Sequence, residues 1–441
     1  MHSDRYSSVF SQATLWASCL FAVILGFSRL SYGLLLPGIQ RSLGGSYSLL
    51  GGVGTLNFIG YLAGTLLLPF ILPRFPRRRP EMTLLSCLAL GVTMLASASS
   101  TSLLQLGVWR FAIGLFSAFA TVLVLSQTLD RIQPEQRGLA SGLIWLGGSA
   151  GIVITGVPAP WLIDPAHTAA WRIAWVLMGA FGIAAAIGFQ SVLRRHPLVP
   201  RISTGEQPGG RSKAAAQAAG PSVAKRRSLL RVVFHPKEQL FLSGAYFLFG
   251  WGYIVYFTYL IPYLTEQGIP SFYSGLVWAV IGLAGLFNGL LGGKAIDRWP
   301  SGYTLAAGLA LGSAGVLGVL AYSLPLTLIG GAVLGLTSFL SPPVMTSALL
   351  RRTVPGESYS EALSVLTALF ASGQIIGPLV GAWMADRMEL RISVASGAWF
   401  MLAAAALAAL YGAVRHEENE NASAPARETR SSNGESSHSK G

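Results

Sequence analysis

Two arginines lie inside long apolar stretches of this chain, where a charged side chain is costly. Arg29 stands in FAVILGFSRLSYGLLLP, a few residues past the middle of its stretch, and Arg110 stands in LQLGVWRFAIGLFSA. If these stretches cross a membrane, an unpaired charge at such a depth costs at least about 2.5 to 3.5 kcal/mol. A cation of this kind usually faces a cavity or a partner, so both arginines are candidates for binding an anionic group. The alternative for each is a structural arginine that bonds to neighbouring carbonyls or extends to the membrane surface.

The acidic residues are distributed differently. All 18 of them fall in loops, at the ends of apolar stretches or in the C-terminal tail. Two embedded cations without an embedded carboxylate make the interior electropositive, which attracts organic anions and repels organic cations.

Aromatic and amide side chains form a second group of candidates. Five aromatic residues of the seventh apolar stretch repeat at helical spacing, and Asn57 and Tyr61 lie within the second stretch. Such a stripe is typical of packing or of an interfacial aromatic belt, and the alternative is a cavity wall that offers hydroxyl groups to a ligand. We therefore place Asn57, Tyr61, Tyr253 and Tyr256 beside the two arginines as candidate binding residues.

The elements that carry these residues follow from composition. The chain is 52% hydrophobic and 11% charged, with a mean hydropathy of +0.54, far from the roughly 25% charged residues of a soluble domain. A net charge of +13 could indicate nucleic-acid binding, but the cations sit in short loops beside apolar stretches and form no basic stripe. The composition therefore predicts a polytopic membrane protein that binds no nucleic acid.

The sequence offers no pattern that is typical of an enzyme. Its two cysteines, Cys19 and Cys87, lie inside apolar stretches and form neither a disulfide framework nor a metal-ligand cluster. Nucleophile-base pairs and phosphate-binding glycine loops are also absent from the sequence. We expect no enzymatic activity, no cofactor and no metal.

Twelve apolar stretches have the length of about 20 residues that a membrane-spanning helix needs, beginning with Leu15 to Pro37. Lys and Arg concentrate in the linkers that follow even-numbered stretches, which predicts that both termini and the long central linker are cytoplasmic. The predicted organisation is a six-helix bundle over 1–193, a basic cytoplasmic linker over 194–238, a second six-helix bundle over 239–414 and a disordered cytoplasmic tail over 415–441.

An internal repeat relates the two halves at an offset of about 222 residues. Asp164 aligns with Asp386 at this offset, and Gly114 aligns with Gly335 at nearly the same one. Further pairs at the constant offset are Glu135 with Glu357, Ala140 with Ala362, Gly151 with Gly373, and Trp161 with Trp383. The repeat predicts two pseudo-symmetric bundles.

Three local motifs then resemble the major facilitator superfamily. GKAIDRWPSG, which contains Asp297 and Arg298, is similar to its G-x-x-x-D-R-x-x-x-G loop motif, and RFAIG, which begins at Arg110, is similar to its R-x-x-x-G motif. SGQIIGPLVG, which contains Gly377 and Pro378, is similar to its G-x-x-x-G-P-x-x-G motif. The resemblance covers nearly the whole chain, and GFSRLSYGLLLP in the first stretch is similar to the YbfB/YjiJ-type branch.

The chain departs from the family after the second stretch. PRFPRRR stands where D-R-x-G-R-R-R is expected, so Pro73 and Pro76 replace the acid and the glycine. In the family, the acid of this loop binds a helix end in the other half. The resemblance therefore implies that this contact is in doubt on one side of the protein. Asp297 remains, and it could cap the cytoplasmic N-terminus of the fifth helix.

The resemblance implies a monomeric secondary transporter in the cytoplasmic (inner) membrane that moves a small organic solute by alternating access. The electropositive interior favours an anionic solute with Arg29 as its anchor, and Asp297, Arg298, Gly377 and Pro378 are the expected gating residues. If protons are coupled, the acid is Glu361, Asp297 or the solute's own carboxylate. Two alternatives stay open, namely proton-driven efflux of amphipathic compounds and a membrane receptor or scaffold that transports nothing.

Overall fold

The computed structural model describes residues 8–75, 78–133, 136–195, 237–299, 301–338, 341–354 and 359–435. Regular secondary structure in these ranges is entirely helical, and twelve helices there are long and apolar enough to cross a membrane. The predicted all-α class and the predicted number of spans are confirmed.

We number the spanning helices α1 to α12 in chain order. The helices of the first half are α1 (Gln12–Leu43), α2 (Tyr47–Ile71), α3 (Arg79–Ala98), α4 (Leu103–Leu129), α5 (Arg137–Gly156) and α6 (Ala170–Arg195). The helices of the second half are α7 (Lys237–Glu266), α8 (Ser271–Arg298), α9 (Gly302–Val319), α10 (Leu324–Ser338 and Ser341–Thr353), α11 (Tyr359–Arg387) and α12 (Leu390–Glu435). A short helix, Ala159–Ile163, joins α5 to α6.

Serine residues define the start of several spans. The side chain of Ser46 accepts a hydrogen bond from the Leu49 N–H at 3.4 Å, and Ser102 accepts one from the Gln105 N–H at 3.2 Å. A serine at this position satisfies one of the backbone donors that a helix leaves unpaired at its first turn. The spans therefore begin at polar residues that lie beside the apolar runs.

The two halves pack their helices in the same pattern. In the first half α2 packs on α4 and α3 on α6, and in the second half α8 packs on α10 and α9 on α12. A Cβ atom on Gly114 of α4 would lie 2.0 Å from the carbonyl oxygen of Asn57, and one on Gly335 of α10 would lie 2.5 Å from that of Ile281. Equivalent glycines thus allow equivalent helix pairs to approach closely, as the repeat predicts.

The two bundles meet through α1 with α7, α2 with α11, and α5 with α8. A Cβ on Gly33 would lie 2.0 Å from the Phe257 carbonyl oxygen, one on Gly51 would lie 2.6 Å from the Ala382 Cβ, and one on Gly156 would lie 2.9 Å from the Ala279 Cβ. These contacts cluster toward the end of the molecule that holds the α1–α2, α7–α8 and α11–α12 loops. We call this the closed end, and we call the opposite end, where α6 stops and α7 starts, the linker end.

Two predicted segments compare differently with the structure. Residues 196–236 of the predicted linker and residues 436–441 of the predicted tail lie outside the described residues. The tail residues 415–435, which we predicted to be disordered, continue α12 as a helix. Glu, Ala and Arg, which are good helix formers, are frequent in this stretch and favour continuation beyond the apolar run.

Candidate functional site

A π-helical segment near the middle of α1 carries Arg29. α1 is α-helical over Gln12–Phe21, π-helical over Ala22–Leu30 and α-helical again over Ser31–Leu43. Within the π segment the backbone N–H of Ser31 donates to the carbonyl oxygen of Gly26, five residues earlier, and the Ser31 hydroxyl donates to the same oxygen at 2.9 Å. Single π turns inside α-helices occur frequently at functional sites, and this one coincides with the embedded cation.

Close contact with α5 accompanies the π segment. A Cβ on Gly26 would lie 2.7 Å from the Cα of Gly151, and one on Gly148 would meet the Leu25 side chain at 2.4 Å. Only glycine allows the two backbones to approach this closely. The crossing with α5 therefore sets the position of the segment, and with it the direction of Arg29.

The guanidinium of Arg29 lies over an aromatic ring and has no acid beside it. Its central carbon is 3.5 Å from the centroid of the Tyr61 ring, and its buried Nε has no hydrogen-bond partner among the described residues. Within the described ranges the one ion pair is His167 with Asp164, at 3.7 Å and far along the chain from Arg29. A cation–π contact stabilises the charge by about 2 kcal/mol when desolvated but does not neutralise it. Arg29 is thus a half-buried cation without an ion-pair partner among the described residues.

Arg110 occupies a different environment. Its side chain is fully buried (0% exposed), its Nη1 donates to the carbonyl oxygen of Ser28 at 2.5 Å, and its guanidinium lies over the Tyr32 ring at 4.6 Å. This bond ties α4 to the π segment directly beside Arg29. The position favours the structural alternative for Arg110, because its guanidinium is enclosed and supports α1, although its Nε and Nη2 have no partner among the described residues.

Asn57 also lies at a helix contact. It is fully buried on α2, and its Nδ2 donates to the backbone carbonyl oxygen of Arg110 at 3.2 Å. The structure therefore brings Arg29 and Tyr61 together as an accessible pair, and places Asn57 and Arg110 in the packing layer behind them.

Aromatic rings on α7 and α11 form the opposite wall. The Tyr253 ring stacks on Phe249 at 5.0 Å and on Phe370 at 5.8 Å, with interplanar angles of 17° and 7°. The Gln374 amide of α11 donates a hydrogen bond to the Tyr253 hydroxyl. Arg29 and Tyr253 lie at the same level, each four residues before the close contact between Gly33 of α1 and Phe257 of α7.

Tyr256 is placed apart from this wall. It is fully buried, its ring lies edge-on to Phe257 at 5.8 Å, and its hydroxyl has no partner among the described residues. Sequence analysis left Phe370 out of the site and gave Gln374 no special weight. Their spacing of four residues on one helix face was the signal that could have paired them.

The predicted gating residues lie at two different ends. Asp297 and Arg298 are exposed at the linker end of α8, where Arg298 lies 5.6 Å from the Trp299 ring centroid. Gly377 packs against the backbone of Trp251, and the carbonyl oxygen of Pro378 accepts a hydrogen bond from the Tyr259 hydroxyl at 2.7 Å. The glycine and proline of α11 thus sit where α11 meets α7, toward the closed end.

A polar contact that sequence analysis missed joins the bundles at the closed end. The Asp386 carboxylate accepts hydrogen bonds from the backbone N–H groups of Tyr47 at 2.8 Å and Ser48 at 2.7 Å. The Tyr47 hydroxyl in turn donates to Glu266 at 2.6 Å. A carboxylate at a helix N-terminus satisfies unpaired donors and interacts favourably with the helix dipole. Asp386 therefore caps α2 from the other bundle.

The described residues contain no group of His, Cys, Asp or Glu side chains that could hold a metal ion. The site that remains is a cation on one bundle at the same level as a hydroxyl and an aromatic stack on the other. Such an arrangement suits a small ligand that has a negative end and an apolar body.

Comparison with known proteins supports the same view of the fold. A family model described as "Uncharacterised MFS-type transporter YbfB" matches residues 21–415. The chain belongs to the YbfB-type branch of the major facilitator superfamily. It is thus a multi-pass membrane protein of a transporter family, and both the predicted resemblance and the predicted architecture are confirmed.

Two relatives within the superfamily cover most of the chain. A probable sulfoacetate transporter of Cupriavidus necator is 25% identical over 391 residues, covering 85% of this chain and 87% of the relative. A chloramphenicol efflux pump of Mycobacterium tuberculosis is 24% identical over 378 residues, covering 82% of this chain and 83% of the relative.

Solved major facilitator structures have the same fold. A bacterial homologue of the human lysosomal transporter Spinster, in an inward-facing and unoccupied conformation, aligns with a TM-score of 0.65 at 17% identity, covering 91% of this chain and 95% of that one. The nucleoside transporter NupG aligns with a TM-score of 0.66 at 11% identity, covering 92% and 99%.

Proposed function

We propose that this major facilitator protein is a secondary transporter of small organic anions and that Arg29 binds the anionic group. The observation that carries the proposal is the half-buried guanidinium, which lies on the Tyr61 ring and has no ion-pair partner among the described residues. Keeping an unneutralised cation at this depth is costly unless a ligand supplies the opposite charge. A carboxylate or sulfonate would do so through charge-assisted hydrogen bonds.

Arg29 also differs from the other embedded cation in the way a binding residue should. Arg110 is fully buried, with Nη1 bonded to the Ser28 carbonyl oxygen and with Nε and Nη2 lacking a partner among the described residues, whereas Arg29 is half-buried above the Tyr61 ring. The name of the sulfoacetate relative is consistent with an anionic substrate.

We further propose that the transporter works in the cytoplasmic membrane by rocking its bundles, with both termini and the linker end in the cytoplasm. Linker-end cations include Arg74, Arg78, Arg79, Arg131, Arg137, Arg194, Arg195, Arg298, Arg351 and Arg352, whereas the closed end holds Arg41, Arg172, Arg387 and Arg391. This asymmetry supports a cytoplasmic linker end. With the linker end in the cytoplasm, bundles that touch at the closed end correspond to an inward-facing state. The structure of the Spinster homologue is in an inward-facing conformation as well.

Transport assays on reconstituted protein test the anion proposal. Uptake of acetate, benzoate and sulfoacetate into proteoliposomes is measured for the unmodified protein and for Arg29→Ala and Arg29→Lys. We expect Arg29→Ala to lose at least tenfold in uptake, because a hydrogen-bonded charge contributes about 1.5 to 3 kcal/mol. Arg29→Lys should retain part of the activity, because it keeps the charge but loses the planar fork.

The control variant is Arg352→Ala, which removes an exposed cation at the linker end of α10 and should transport normally. Wild-type uptake by Arg29→Ala protein at normal membrane levels would contradict the anchor role. Binding of these anions without any uptake would favour a receptor or scaffold instead.

Efflux of neutral amphipathic compounds is a second candidate. It is favoured by the stacked aromatic wall of α7 and α11 and by the 24% identical chloramphenicol pump. A drug-susceptibility comparison of deletion and overexpression strains tests it. Resistance that rises with expression and survives Arg29→Ala would support efflux over anion transport.

Proton coupling stays part of the proposal. Asp297 is exposed at the linker end, and the side chain of Glu361 lies outside the described residues. The uptake rate is measured under an imposed pH gradient. If the rate depends on the gradient and Asp297→Asn abolishes this dependence, the result would support Asp297 as the proton-coupling acid. A gradient dependence that survives this variant would favour Glu361 or the substrate's carboxylate.

A further inference from the structure

The hydroxyl of Tyr253 has an arrangement of hydrogen bonds that leaves its own proton unused. Gln374 donates its amide N–H to the Tyr253 oxygen, so the oxygen acts there as an acceptor. A phenol carries one donor hydrogen besides its acceptor sites. Among the described residues no acceptor receives that hydrogen from Tyr253, so the O–H group must point elsewhere.

Burial holds this arrangement in place. The Gln374 side chain is 2% exposed and Tyr253 is 6% exposed. The Tyr253 ring is held nearly parallel to both Phe249 and Phe370, with angles of 17° and 7°. Both faces of the Tyr253 ring are packed, and the Gln374 amide is bonded to the Tyr253 oxygen. The Tyr253 O–H can therefore move only by rotation about the C–O bond.

The cation at the level of Tyr253 on the other bundle is also a donor. Arg29 and Tyr253 each lie four residues before the close contact of Gly33 with Phe257, on two helices that run in the same direction. A guanidinium has five N–H donors and no acceptor, so Arg29 cannot take the Tyr253 proton. Two donors on opposite bundles therefore lie at the same level, and among the described residues Arg29 has no ion-pair partner and the Tyr253 O–H has no acceptor.

We propose that Tyr253 is a second binding residue for the anionic group held by Arg29, and that Gln374 is a positioning residue that aims the Tyr253 O–H at it. The inference rests on the proposed anion transport and deepens it by naming the group that is recognised. A carboxylate or sulfonate has several oxygens on one atom, so one oxygen accepts from Arg29 while another accepts from Tyr253. A neutral solute without such an oxyanion cannot pair both donors.

The arrangement also links recognition to movement. Arg29 belongs to the first bundle and Tyr253 to the second, so an anion that binds both residues joins the bundles. Drawing the two halves together around the solute is the step that alternating access requires.

Binding measurements on single and double variants test the proposal. The apparent affinity for acetate, benzoate and sulfoacetate is measured by thermal shift and by uptake for Tyr253→Phe, Gln374→Met and the double variant. We expect Tyr253→Phe to weaken binding of the responding anion about tenfold, because it removes one hydrogen bond to a charged group. Gln374→Met should weaken binding less, about threefold, because the Tyr253 O–H remains but is no longer oriented by the hydrogen bond from Gln374.

The double variant separates a positioning role from a structural one. If Gln374 acts through Tyr253, adding Gln374→Met to Tyr253→Phe should have almost no further effect on anion affinity. Tyr273→Phe is the control, because it removes an exposed hydroxyl of the second bundle outside the wall and should bind anions normally. Melting temperatures without anion report whether each variant is folded.

The outcomes distinguish this inference from the proposed function. Normal affinity in Tyr253→Phe together with a loss in Arg29→Ala would overturn the inference alone. Fully additive effects in the double variant would overturn the role of Gln374. If no anion of the panel stabilises or enters through the unmodified protein, the proposed function and the inference fall together.

Discussion

Two of the three crossings that join the bundles toward the closed end differ in charge. Where α2 meets α11, a carboxylate takes part: Asp386 caps the N-terminus of α2, and the Thr55 hydroxyl donates to the Ile375 carbonyl oxygen at 3.4 Å. Where α5 meets α8, small residues make the closest contacts and one neutral hydrogen bond runs from Trp278 Nε1 to the Thr155 hydroxyl at 3.2 Å. A Cβ on Gly156 would lie 2.9 Å from the backbone nitrogen of Ala279, and one on Gly282 would lie 2.8 Å from that of Val153.

The repeat makes this difference informative, because Asp164 occupies in the first half the position of Asp386 in the second. Asp164 does not cap α8. It accepts from the Ala166 N–H at 2.9 Å within its own loop and lies 3.7 Å from His167, while α8 begins after Pro270 without a side-chain cap. The two crossings thus share close helix packing but differ in the charged cap. We expect the α2–α11 crossing to weaken when the Asp386 charge is lost and the α5–α8 crossing to weaken when side-chain volume is added.

The largest effect is expected from added volume at α5 and α8. Gly156→Val places methyl groups where even a Cβ meets the Ala279 backbone at 2.9 Å, so the helices must separate. We expect the closed end to open and transport to fall more than tenfold. The distance between spin labels at Thr168 and Gln267, which lie in exposed loops of the two bundles, should increase in a variant without Cys19 and Cys87.

Gly142→Val is the matched control for this substitution. Gly142 lies on the same helix, but a Cβ added there meets nothing within 4 Å. Both variants carry the same loss of glycine flexibility and differ only in the contact. Unchanged label distances in Gly156→Val, or an equal change in Gly142→Val, would contradict steric closure at this crossing.

An intermediate effect is expected from Asp386→Asn at the other crossing. The change removes the negative charge from the N-terminus of α2 and weakens two charge-assisted backbone hydrogen bonds. A loss of about 1 to 2 kcal/mol would shift the population toward the opened closed end about fivefold to thirtyfold. The same spin-label distances report this population.

Asp164→Asn is the control at the repeat-related position and should leave the distances unchanged, because Asp164 makes no contact with the other bundle among the described residues. Because Asp386 is exposed, added salt should screen its charge and slightly increase the population of the unmodified protein in which the closed end is open. The same salt should have a smaller effect on Asp386→Asn, which lacks this charge. Equal responses of the two asparagine variants would show that the cap does not hold this crossing.

Some of these features could be predicted from the sequence and others could not. The twelve spans and the repeat follow from apolar length and spacing, which are local properties. The first span was predicted to end at Pro37 but continues to Leu43. Its polar end is satisfied by tertiary partners, since Arg41 Nη2 donates to the Ile163 carbonyl oxygen at 2.5 Å and the Ser42 hydroxyl to that of Thr168 at 2.6 Å.

The site shows the same division. Sequence identified Arg29 and Arg110 as embedded cations, but their environments differ, because Arg29 is half-buried and Arg110 is enclosed by Ser28, Tyr32 and Trp175. The π segment depends on the approach of α1 to α5, and the Asp386 cap joins residues far apart in the chain. Neither has a local pattern from which it could have been predicted.

The smallest effect is expected from Tyr47→Phe, which tests whether the α2–α11 crossing depends on more than the cap. The Tyr47 hydroxyl donates to Glu266 across the bundles at 2.6 Å, but the pair is exposed and water can replace the bond. We expect a shift of less than about fivefold in the spin-label distance populations, from a loss under about 1 kcal/mol. Tyr273→Phe, an exposed tyrosine in the first turn of α8, is the control and should cause no shift. A shift in Tyr47→Phe as large as that in Asp386→Asn would mean that Tyr47 and Glu266, and not the cap, hold the α2–α11 crossing.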